Sequence, residues 1–141
     1  MYATVQQMTD RFGADMLVAL TDRVAVATGL IDAAIVTKAL TDASEVIDGF
    51  LAAKYVLPLT SVPGLVADLA QSIAIYKLHL SDPDPKVTRD YQDAMRALRD
   101  IASGQLRIPV AGLDPAVTEG SGVQIVDRER PFTAENMTGF V

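Results

Sequence analysis

Cysteine and tryptophan are absent from this 141-residue sequence, and histidine occurs once, as His79. Without thiols there are no disulfides and no thiolate metal sites, which fits assembly in a reducing cytoplasm. One imidazole with no cysteine leaves a transition metal without a set of ligands. No apolar run approaches the roughly 18 residues that a membrane-spanning helix needs. The opening residues Met1-Tyr2-Ala3-Thr4-Val5 lack the basic head and apolar block of a signal peptide. There is no Gly-rich phosphate loop, since Gly120-Ser121-Gly122 is too short, and neither Ser61 nor Ser72 has a Gly-x-Ser-x-Gly setting. Basic residues are in deficit, leaving a formal charge of −6. That argues against general nucleic-acid binding, which draws its affinity from Lys and Arg displacing counterions. These absences leave catalysis without a home, and no enzyme activity, metal, cofactor or membrane is expected.

What is present is helical. The stretch Asp32–Leu59 organises the chain, with Ile35, Val36, Ala39, Leu40, Ala43, Val46, Ile47, Phe50 and Leu51 on one broad face. Lys38, Asp42, Glu45 and Asp48 occupy the other. Asp32 is placed to cap this helix, and Pro58 to stop its continuation. Gly49 inside this pattern costs about 1 kcal/mol relative to Ala, so a backbone or ring is expected against it. The exit strip Lys54–Leu59 is apolar enough to require packing.

Shorter helices are predicted before it. Thr4 and Gln7 form a capping-box pair for a helix ending at Gly13, lined by Val5, Met8 and Phe12. A second runs over roughly Ala14–Leu20, and Val24–Leu30 is a loop of small apolar residues. After the central helix, Ser61 is expected to cap a helix carrying Leu65, Val66, Leu69, Ile73, Tyr76 and Leu80. It is apolar around much of its circumference, as in helices buried on several sides. Ser81–Pro85 is a rigid break, and a last helix runs from about Pro85 to Ser103.

Among residues with chemical potential, structural roles are expected throughout. His79 reads as a core-edge or interface histidine. Asp82 and Asp84, each followed by proline, read as a stiff turn capping the next helix rather than as a cation site. Tyr55 and Tyr76 read as core. Lys86, Arg89, Arg96 and Arg99 alternate with Asp90, Asp93 and Asp100, the pattern of a solvated, salt-bridged face.

From Ile108 the helical period is lost and Pro and Gly recur. The fold expected is therefore all-α: a small antiparallel bundle of two short and three long helices over residues 1–107. An extended C-terminal arm over 108–141 has room for a short β-strand or hairpin at Val123–Asp127. An arm of more than 30 residues is long for a compact domain. It is either disordered or lies on a partner.

Several segments taken in order resemble the small head–tail connector proteins of Mu-like phages and prophages. They include Met1-Tyr2-Ala3-Thr4, Arg11-Phe12-Gly13, Leu20-Thr21-Asp22, Ala43–Leu51 with Lys54–Leu59, Val62-Pro63, Ile73–Tyr76, Tyr91–Ala94 and Leu98–Gly104. The arm adds Arg130-x-Phe132 and Met137-x-Gly139-Phe140. One departure is Val24–Gly29, where many members carry an acidic, Gly-rich insertion; a cation-binding role for that loop loses support here. The resemblance implies a virion neck protein, assembled in the bacterial cytoplasm. It would form a homo-oligomeric ring, of twelve copies, beneath the portal protein and meet the next neck or tail-terminator protein. DNA would pass through without sequence-specific binding. On that reading the arm folds on the portal or a neighbouring subunit through Val123, Ile125, Arg130, Phe132, Met137 and Phe140. The rival expectation is a soluble helical interaction or regulatory protein with a disordered tail.

Overall fold

The computed structural model describes residues 1–110, and the arm residues from Val123 to Phe140 lie outside them. Among the described residues there are five helices: α1 (Val5–Phe12), α2 (Ala14–Thr21), α3 (Ala33–Leu51), α4 (Gly64–Leu78) and α5 (Pro85–Ser103). No strand occurs among the described residues. The described residues form an all-α fold, with two short and three long helices as expected.

Local chemistry sets most of the helix ends. Thr4 and Gln7 form both halves of a capping box on α1. Asp32 accepts from the amides of Ala34 and Ile35 at the start of α3. Asp84 accepts from Lys86 N at 2.8 Å, with Pro85 in the first turn of α5. Gly104 ends α5 with φ +83°, in the left-handed region that favours glycine.

The long helices run up, down and up. Arg23, beside the start of α3, donates to the carbonyl of Leu78 at the end of α4. At the other end Tyr55 Oη, just past α3, accepts from Ile108 N just past α5 at 2.9 Å. The core is built from Val36, Leu40, Ile47 and Leu51 of α3 against Val66, Ile73, Ile75 and Leu78 of α4 and Leu98 and Ile101 of α5. Helix α4 buries residues around its whole girth, as its sequence predicted. Met8 and Leu17 bring α1 and α2 onto this core. Tyr76 and Tyr91 stack between α4 and α5, with centroids 4.0 Å apart.

Four expectations need correction. Helix α3 ends at Leu51, and the strip beyond it is a loop: Tyr55 N and Lys54 N both return to Leu51 O. Pro58 bars Leu57 from the helical region, and the loosened turn swings Tyr55 into the core while Val56 stays exposed. Among the described residues nothing outside the helix's own backbone and Gly49's chain neighbours lies within 4 Å of where a Cβ on Gly49 would sit. Ser61 does not cap α4; Pro63 holds the N-cap position with extended backbone and no side-chain cap bond. Finally, α4 stops at Leu78, with His79 as its C-cap, and Leu80 projects into solvent.

Candidate interaction surfaces

The chemical groups singled out in the sequence are absorbed by structure. His79 Nδ1 lies 2.8 Å from the carbonyl of Ile75. A carbonyl only accepts, so Nδ1 carries the proton and the ring serves the end of α4. Ser72 Oγ donates to Asp68 O and accepts from Arg11. Tyr55 and Tyr76 are packing residues. Among the described residues no group of His, Asp or Glu is arranged to hold a metal ion.

Three side-chain clamps escaped sequence reasoning because each joins distant residues. Arg11 donates to Asp68 O and Ser72 Oγ, tying α1 to α4, and its guanidinium lies 3.6 Å from the Asp68 carboxylate. Arg23 donates to Leu20 O and Leu78 O, closing α2 onto the end of α4. Tyr2 donates its phenol to Asp48 and its amide to Ser44 Oγ, laying the N-terminus along α3. Burial first, then the bond to Asp48 and its charge, push the Tyr2 phenol well above the ordinary tyrosine range.

The loop between α2 and α3 is built outward. Asp22 accepts from the amides of Gly29 and Thr28 and from the Thr28 hydroxyl. The Gly29 amide, with smaller help from Thr28, holds its carboxyl below the usual range. Gly29 takes φ +68°, which closes the loop at no steric cost. The result is a fixed turn presenting Val24, Val26 and Leu30 to solvent at 58%, 79% and 70% exposure.

Two hollows flank α4. One, of about 400 Å³, lies between the first half of α3 and the end of α4, where Arg23, Lys38 and Lys77 surround Ile35 and Leu78, with Asp42 paired to Lys38. It adjoins a second hollow under the loop, with which it shares Arg23 and Ala34. On the far side a shallower groove of about 270 Å³ runs between α1, α4 and α5, where Asp68, Asp90 and Asp93 surround Leu65 and Leu69 beside Arg11.

Fold and surfaces define a small helical protein that leaves several large apolar side chains exposed. Residues 2–127 match the family Bacteriophage Mu, Gp36, so the chain belongs to that phage protein family. It is 36% identical over 140 residues to Gene product J of Escherichia phage Mu, covering 99% of both chains. It is also 32% identical over 111 residues to the Mu-like prophage FluMu protein gp36 of Haemophilus influenzae, covering 79% of each.

Proposed function

We propose that this phage-derived protein is a non-enzymatic head–tail connector in the virion neck, forming a ring beneath the portal that extends the DNA channel toward the tail. The observation that carries this reading is that the bundle leaves apolar side chains uncovered at both ends. Leu80 lies at one end; Val56 and Val62 lie at the other. An adaptor between two unlike bodies needs a docking surface at each end. The acidic balance of the chain supports the same role, since a channel wall of like charge does not trap DNA. The arm contributes the portal contact through Val123, Ile125, Arg130, Phe132, Met137 and Phe140, by strand addition or side-chain anchoring.

The test is retention on portal assemblies, with limited proteolysis read by mass spectrometry. The full chain is expected to be retained, with its arm protected only when portal is present. A chain ended after Gly112 is expected to lose retention. Normal retention of that truncated chain, or equal cleavage of the arm in both samples, overturns the assignment and favours a free-standing interaction protein.

A further inference from the structure

The end of the bundle where α3 and α5 finish and α4 begins is lined by an uncharged stretch. From Tyr55 to Ala67 no residue carries a charge, and Val56, Val62 and Leu65 are exposed within it. Large apolar side chains gathered in this way mark an interaction surface. The chain leaves the described residues at the same end. Ile108 and Val110 are buried there, and the Ile108 amide donates to Tyr55, the residue before Val56. Beyond Val110 the sequence Ala111-Gly112-Leu113 is also uncharged, and Leu113 and Val117 are its next large apolar side chains.

We infer that Leu113 and Val117 cover Val56 and Val62 of the same chain. The first residues of the arm thus close this end of the bundle until a partner docks there and displaces them.

The reach of the chain permits this contact. From Val110, Leu113 can lie up to ~10 Å away and Val117 up to ~23 Å. Neighbouring helix axes are only about 8–10 Å apart, so Leu113 reaches the loop after α3 and Val117 the approach to α4. Gly112 can turn the chain back without steric penalty. Pro115 restricts the free chain, so less backbone freedom is lost when the segment settles. All four contacting side chains are uncharged, and covering them strips water from no ion. A short tether supplies an effective concentration on the order of millimolar, which holds even a small apolar contact. A docking partner must exceed it with a larger interface. Arg130, Phe132, Met137 and Phe140 lie beyond the covering segment and are left for the portal contact.

The cover stands without the connector reading, and its displacement rests on that reading. The natural chain has no cysteine, so introduced thiols report cleanly. The full chain carrying Val62→Cys and Val117→Cys is compared, under mild oxidation, with one carrying Gln105→Cys and Val117→Cys. Gln105 is exposed at the same end, just past α5, so the second pair measures collisions of a loose arm. The first pair is expected to close an intrachain disulfide about tenfold faster than the second. Leu113→Ser added to the first pair should remove that advantage. Equal rates, an advantage that Leu113→Ser leaves intact, or disulfide-linked dimers in place of the intrachain product overturn the cover. With portal assemblies added, the first pair is expected to slow to the rate of the second. Undiminished closure in chains that the portal retains overturns the displacement. Fast closure without portal retention keeps the cover and removes the connector role; retention without fast closure does the reverse.

Discussion

At the scale of single residues, hydrogen bonds between sequence-distant side chains hold the periphery to the three-helix core. Tyr2 shows how much one contact can decide. Its amide and phenol together fix the N-terminal residues on α3, and Ala3 is buried as a consequence. Tyr2→Phe keeps the ring and removes the bond to Asp48, so a loss of about 1 kcal/mol is expected by chemical denaturation. The phenol also creates a pH dependence. Its folded-state pKa is raised, so its stabilisation is complete below the unfolded value near ~10 and is lost as pH rises beyond it. The natural protein should therefore lose stability above about pH 10 more steeply than Tyr2→Phe. Parallel alkaline limbs for the two proteins would show that the bond to Asp48 contributes nothing.

At the scale of elements, residues that act on their neighbours in the chain were legible from the sequence. The Thr4–Gln7 box, the Asp32 cap and the Asp84–Pro85 start all fall where sequence alone placed them. Failures arose where an end is decided by something distant. Tyr55 leaves the helical path for the core and for Ile108, more than 50 residues away, so the apolar strip after α3 reads as helix but folds as loop. The surfaces on either side of α4 were illegible for the same reason, since each draws residues from several helices. The arm anchors read from the sequence lie outside the described residues. Gly49 is the instructive case. Its expected close neighbour is not found among the described residues, and it sits exposed on α3. Gly49→Ala should therefore stabilise the isolated protein by about 0.5–1 kcal/mol, read as a rise in Tm. A fall in Tm would mean that the helix needs glycine for a local reason not visible in its packing.

At the scale of the whole molecule, the bundle does not end where its last helix ends. Ile108 and Val110 are buried, Leu106 packs against the core, and Leu106 N returns to Asp100 O. The buried amide of Ile108 has its partner in the Tyr55 hydroxyl, which closes α3 and α5 at one end. A chain ended at Arg107 loses two apolar side chains, each worth about 1.5–3 kcal/mol when fully buried, and orphans the Tyr55 hydroxyl. A chain ended at Val110 keeps them all. The first is expected to be less stable than the second by roughly 3 kcal/mol or more, measured by urea unfolding. Equal midpoints would show that residues 108–110 belong energetically to the arm. The expected gap instead places residues 108–110 inside the bundle, tied through Tyr55 to the ends of α3 and α5.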